Sequence, residues 1–81
     1  MEQENIFGER VLGLRKAKGL TQKELGEAVG LSYKAISTIE SGSRGTSVEK
    51  LIELAVYFQV STDYLLGITD DPAWRGSQEE E

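Results

Sequence analysis

Tyr33, Lys34, Ser37 and Thr38 set a phenol, an ammonium and hydroxyls along one short stretch of the chain. Ile36 and Ile39 in the same stretch recur at helical spacing, so on a helix they turn toward a core and the four polar side chains turn away. The chemistry available there is recognition by hydrogen bonding. Lys34 donates, Ser37 donates or accepts, Thr38 adds a methyl group, and Tyr33 offers a hydroxyl and a ring. Bond-making chemistry has no comparable set, because the chain contains neither His nor Cys. Their absence removes the usual general base, the usual nitrogen metal ligand, thiolate zinc sites and hydrolytic triads together. With no phosphate-cradling glycine loop and no carboxylate pair facing an evident pocket, neither an enzyme nor a bound metal or cofactor is expected.

The elements that must hold this face are legible from caps and apolar spacing. Residues 22–40 read as two short helices. Leu25, Ala28 and Val29 form the apolar face of the first, and Ala35, Ile36 and Ile39 that of the second. Gly30 follows the first face directly, where a left-handed residue ends a helix and lets Leu31 fold back, so that helix ends at Val29. Ser32 caps the next one. The short link forces a steep crossing, as in a helix-turn-helix. Thr21 with Glu24 three residues on is a capping box that starts the first of the pair. Upstream, Phe7, Val11 and Leu14 predict a helix from about Asn5 to Lys18, with Asn5 as N-cap and Gly19 as terminator. Gly8 and Gly13 weaken it by up to ~1 kcal/mol each, and Leu12 falls off its stripe. Downstream, Thr46 or Ser47 caps a fourth helix whose core face is Leu51, Leu54, Ala55 and Phe58, broadened by Val48 and Ile52. Ser61 caps a fifth through Leu66, ended by Gly67. No segment alternates like a strand. The fold expected is all-α.

These residues carry a family resemblance. Gly26, Gly30, Leu25, Val29, Leu31, Ile36 and Ile39 occupy the small, turn and apolar positions of the helix-turn-helix in phage repressor and Cro-type (Xre) DNA-binding proteins. GLTQKEL at 19–25, Ile39-Glu40-Ser41-Gly42, and STDYLLG at 61–67 resemble the same family, so the likeness covers roughly residues 7 to 67. It implies a compact five-helix domain of the phage repressor DNA-binding type, with helices 2 and 3 as the motif. By position in that motif, Tyr33, Lys34, Ser37 and Thr38 are the expected base readers, lying near the N-terminus of a helix that fits the major groove. Tyr33 departs from the family, which often has Gln near this place. Resemblance also assigns Gln22 to a phosphate and to bracing the reading helix. Ser32, Ser41, Ser43 and Arg44 can grip the neighbouring backbone. Matching positions in the family pair Arg15 with Glu40 as a partly buried ion pair, making Arg15 structural first and a phosphate contact second.

Length and charge set bounds on this reading. A chain of 81 residues allows one small domain that gains by dimerising. Its net charge is −5, which opposes a polyanionic partner if spread evenly. It is not spread evenly. Residues 1–9 carry −3, residues 10–50 carry +4 and residues 51–81 carry −6. The asymmetry suits a DNA-facing centre, although on charge alone the same cations could equally solvate helix faces. No apolar run approaches the ~18 residues needed to cross a bilayer, and the acidic start is unlike a signal peptide, so a cytoplasmic protein is expected; the family resemblance implies a bacterial or phage origin.

The division expected is a DNA-binding domain over 1–68 and an acidic, flexible tail over 69–81, in which Trp74 folds back or packs across a dimer. Tyr64, Leu65, Ile68 and Trp74 are the expected dimer contacts, although Leu65 and Leu66 could equally be core. Together these point to a transcriptional regulator, a repressor that binds a near-palindromic operator in double-stranded DNA as a homodimer. An antitoxin or a restriction-modification controller would share the fold. A protein-interaction module that has lost DNA binding is the reading outside the class.

Overall fold

Each helix begins where a side chain satisfies its free N–H groups, and those starts set the architecture. The computed structural model describes residues 5–73 and orders five helices: α1 (Ile6–Ala17), α2 (Gln22–Val29), α3 (Tyr33–Ser41), α4 (Val48–Phe58) and α5 (Thr62–Leu66). Asn5 caps α1, accepting from the Gly8 N–H. Thr21 and Glu24 form the capping box of α2, with bonds of 3.0 and 2.9 Å. Ser32, Ser47 and Ser61 cap α3, α4 and α5, each accepting from the backbone N–H three residues on. Of the two candidates for the α4 cap, Ser47 is the one used. Among the described residues there is no strand.

The helix ends turn the chain as tightly as the sequence demands. Gly30 takes φ 75° after α2, and the Leu31 N–H then reaches back to the Gly26 carbonyl at 2.8 Å. At the end of α4 the left-handed residue is Gln59, at φ 59°, a conformation that costs a side-chain-bearing residue energy.

Packing explains two glycines inside helices. A Cβ on Gly26 would run into the Leu31 carbonyl oxygen, so the return of the chain over α2 requires a residue without one. Gly8 is buried where α1 crosses α3, and a Cβ there would collide with the Ile39 carbonyl oxygen. The propensity cost expected of Gly8 is therefore the condition for a close helix crossing.

The core comprises Val11, Leu25, Val29, Ile36, Ile39, Leu54, Ala55, Phe58, Val60 and Leu65, with Phe7, Leu14, Leu31 and Leu51 packed against it. α3 lies against both α1 and α2, α5 against α1, and α2 and α5 flank α4. Three apolar residues expected in this core lie outside it. Ala28 is exposed, and Val48 and Ile52 are 71% and 49% exposed. α4 is packed by neighbours on one side only, so the apolar stripe read from its sequence is wider than the surface available to cover it.

The segment after α5 runs back along the helices. Arg10 Nη1 donates to the carbonyls of Tyr64 and Thr69, Nη2 donates to Asp70, and the Ser61 N–H donates to the Pro72 carbonyl at 3.3 Å.

Candidate nucleic-acid interface

α3 is built to present its polar face and is held from behind. Ile36 and Ile39 are buried beneath it. On the outer side Tyr33 is 61% exposed, Lys34 is exposed, and Ser37 and Thr38 are half-buried. The Thr38 hydroxyl donates its hydrogen to the Ala35 carbonyl at 2.9 Å. What remains to face outward from Thr38 is a methyl group and oxygen lone pairs.

The loop after α3 folds back over the helix end. The Thr38 carbonyl accepts from the Ser43 and Arg44 N–H groups and from the Ser41 hydroxyl, and the Ser41 and Ser43 hydroxyls meet at 2.9 Å. These bonds carry Arg44 toward the start of α3. Ser32, Lys34, Ala35, Thr38 and Arg44 line a single shallow cleft. Two exposed cations on one small surface, beside serine hydroxyls, suit an anion with spaced negative groups.

Behind α3, Glu40 gathers three elements. Arg15 of α1 meets its carboxylate through two bonds, Nε to Oε2 at 2.6 Å and Nη2 to Oε1 at 3.0 Å, while Nη1 donates to the Leu20 carbonyl at 2.8 Å. Gln22, at the start of α2, donates its amide to Oε1 at 3.0 Å. Asn5 donates to the Glu40 backbone carbonyl at 2.9 Å. Both charged side chains are nearly enclosed, 12% and 6% exposed. The hydrogen bonds to Glu40 raise the Arg15 guanidinium above its ordinary value; burial opposes this, and the carboxylate charge adds to the rise. Among the described residues, no buried side-chain nitrogen or oxygen lacks a partner.

The sequence-predicted residues therefore fall into groups. Lys34, Thr38, Ser32 and Arg44 share the cleft, with Tyr33, Ser37, Ser41 and Ser43 beside it on α3 and its following loop. Gln22 and Arg15 converge instead on Glu40. All three Arg15 nitrogens make bonds inside the fold, the structural role that the resemblance puts first. The predicted dimer residues Tyr64 and Ile68 lie near the end of α5, where Tyr64 is half-buried and Ile68 is 70% exposed. Leu65 is completely buried and faces the core, a correction to its expected place at an interface. Its neighbour Leu66, 47% exposed, takes the outward position. Trp74 lies outside the described residues.

Two cations escaped the sequence reading. Arg10 stacks over the Tyr64 ring, 4.1 Å from its centroid. Lys50 donates to the Val29 carbonyl at 2.8 Å, closing the C-terminus of α2. Lys50 left a trace: a cation in the first turn of α4 opposes that helix's dipole, which signals a partner elsewhere. Among the described residues, no helix is long and apolar enough to cross a membrane, and no cluster of acidic or imidazole-type ligands is disposed for a metal.

Comparison with known proteins points the same way. A family model described as Helix-turn-helix matches residues 13–65. The chain is 39% identical over 67 residues to YobD of Bacillus subtilis, an HTH-type transcriptional regulator, covering 83% of this chain and 60% of that one. It is 37% identical over 71 residues to y4dJ of Sinorhizobium fredii, another HTH-type transcriptional regulator, covering 88% of this chain and 92% of that one. Among solved structures, the c2 repressor of Salmonella phage P22 in complex with a synthetic operator superposes with a TM-score of 0.71 at 38% identity. That match covers 74% of this chain and 91% of the repressor chain in the crystal.

Proposed function

The chain belongs to the helix-turn-helix family of transcriptional regulators, and from that premise we propose that it represses transcription by binding a near-palindromic operator as a homodimer. α3 enters the major groove. Tyr33, Lys34, Ser37 and Thr38 meet base edges, with Lys34 donating to guanine O6 and N7. Arg44, Ser32, Ser41 and Ser43 hold the flanking phosphates, joined by the amide hydrogen of Gln22 that its bond to Glu40 leaves over.

The observation that carries this reading is the cleft that Lys34 and Arg44 share beside the exposed face of α3. It gathers positive charge at one place in a chain that is acidic overall. The network at Glu40 supports it, because α3 then meets DNA as a pre-set surface with little left to order on binding.

Dimerisation uses an end of the molecule where apolar surface is left open. Val48, Leu66 and Ile68 are exposed, and Phe7, Val48, Leu51 and Leu66 line an apolar groove between α1, α4 and α5. Tyr64 and Ile68 border the same end. A twofold contact there sets two copies of α3 into successive major grooves about 34 Å apart.

Selection from randomised duplex DNA tests the proposal, with the enriched pool titrated at two salt concentrations beside Lys34→Ala. A palindromic consensus, bound less tightly at high salt and less discriminated by the variant, is the expected result. Absence of enrichment, with no affinity even at low salt, would sink it and favour a protein-interaction module.

A further inference from the structure

Among the described residues outside the reading surface, Arg10 is heavily engaged. One guanidinium nitrogen donates to the carbonyls of Tyr64 and Thr69, both at 2.7 Å. The other reaches Asp70 at 2.8 Å, and the guanidinium plane covers the Tyr64 ring. The two carbonyls bracket the turn from Tyr64 to Thr69, which carries the exposed apolar residues Leu66 and Ile68.

Leu65 anchors the turn in the core, while its outer part, from Leu66 on, has fewer ties. α5 is a helix of 5 residues, too short to persist by its own propensity. Its end is closed by the Gly67 N–H donating to the Tyr64 carbonyl and the Ile68 N–H donating to the Asp63 carbonyl. Arg10 adds the charge-assisted bonds that join this end to α1, and a cation at a helix C-terminus also meets the negative end of the dipole. The Asp70 pair contributes little, since Asp70 is 97% exposed against 20% for Arg10.

We propose that Arg10 is a positioning residue for self-association: it clasps the Tyr64–Thr69 turn in the shape that presents Leu66 and Ile68 to a second copy, and so governs operator affinity without touching DNA. The inference rests on the homodimer proposed above. It separates two halves of the molecule. The cleft at Lys34 and Arg44 is held by the bonds to the Thr38 carbonyl on a helix braced by the Glu40 network, while Arg10 ties the apolar end to α1, and its side-chain hydrogen bonds among the described residues do not reach α3.

Sedimentation equilibrium of the full chain, with thermal melting and titration of a mixed-sequence duplex at low salt, distinguishes the outcomes. Arg10→Ala is expected to stay helical, to raise the dimer dissociation constant about tenfold, equivalent to roughly 1.4 kcal/mol, and to keep the parent's affinity per monomer for mixed-sequence DNA. Asp70→Ala is expected to dimerise as the parent does. A folded Arg10→Ala that dimerises normally overturns the proposal, as does one that loses dimerisation and duplex binding in equal measure, which would mark Arg10 as merely structural. If Arg10→Ala does not fold, Arg10→Lys decides. A lysine ammonium keeps the charge but lacks the planar fork, so weakened dimerisation supports the clasp and parent-like dimerisation refutes it. A parent that remains monomeric at every concentration would overturn the dimer reading itself, a failure visible without any variant.

Discussion

Arg15 and Glu40 are 25 residues apart in sequence and meet through two parallel hydrogen bonds of 2.6 and 3.0 Å in a nearly closed space between α1 and α3. Arg15→Ala leaves a buried carboxylate held by Gln22 alone, and Glu40→Ala leaves a buried guanidinium with only the Leu20 carbonyl. Each is expected to cost about 3 kcal/mol. At roughly 4–8 °C per kcal/mol for a domain of this size, melting temperatures should fall by more than 10 °C. Unchanged melting in both variants would remove the pair from any role in stability.

The same pair sets an expectation for pH. Its hydrogen bonds raise the Arg15 guanidinium above an already high value. A group whose folded-state value is raised contributes stability that is fully present below its unfolded value and lost only as pH rises through the folded one. That window lies above the usual arginine range, beyond working alkaline pH. The melting-temperature difference between the parent and Arg15→Ala should therefore stay constant from neutral to mildly alkaline pH. A difference that shrinks across this interval would contradict the assignment.

Gly26→Ala and Gly8→Ala test the close approaches. Each new Cβ meets a backbone carbonyl oxygen, of Leu31 and of Ile39 respectively, and backbone cannot step aside as a flexible side chain would. Losses of about 2 kcal/mol or more are expected, against the gain of up to ~1 kcal/mol that helix propensity alone would give. Gly13→Ala provides the control, because nothing lies within 4 Å of its Cβ position. Denaturant titration gives the sign directly.

Gln59→Gly should do the reverse. Gln59 holds φ 59° at the end of α4, and glycine relieves that conformation by about 1 kcal/mol. An increase of several degrees in melting temperature is expected. A decrease would mean that the Gln59 side chain contributes more than its backbone strain costs.

Lys34→Ala and Arg44→Ala should separate reading from gripping, although both side chains line one cleft. Lys34→Ala is expected to relax base preference at one position of each half-site, by about 1–3 kcal/mol. Arg44→Ala is expected to weaken binding evenly across sequences and to lower the salt slope by about 1. Titrations against the selected operator and a single-base variant, at several salt concentrations, tell the two effects apart.

The helix starts and the motif were legible in the sequence because their causes are local. A cap acts over three residues, so Asn5, Thr21 with Glu24, Ser32 and Ser61 announce their helices without any tertiary contact, and Gly30 announces the turn. The Arg15–Glu40 pair became legible only through the family resemblance, since nothing near either residue points to the other. Tertiary structure decided what depends on which elements come to lie side by side. Val48 and Ile52 share the apolar periodicity of α4, yet none of the five described helices covers them, whereas Leu65 is sealed where α5 meets α1 and α4 and Leu66 beside it is not. Arg10 and Lys50 read as ordinary surface cations until the carbonyls of Tyr64, Thr69 and Val29 are brought to them. The sequence by itself determined the sequence of helices and the polar face of α3, because caps and periodicity are short-range. Burial, helix crossings and the long-range clasps were decided by the tertiary fold, because their energies belong to pairs of residues that only folding makes neighbours.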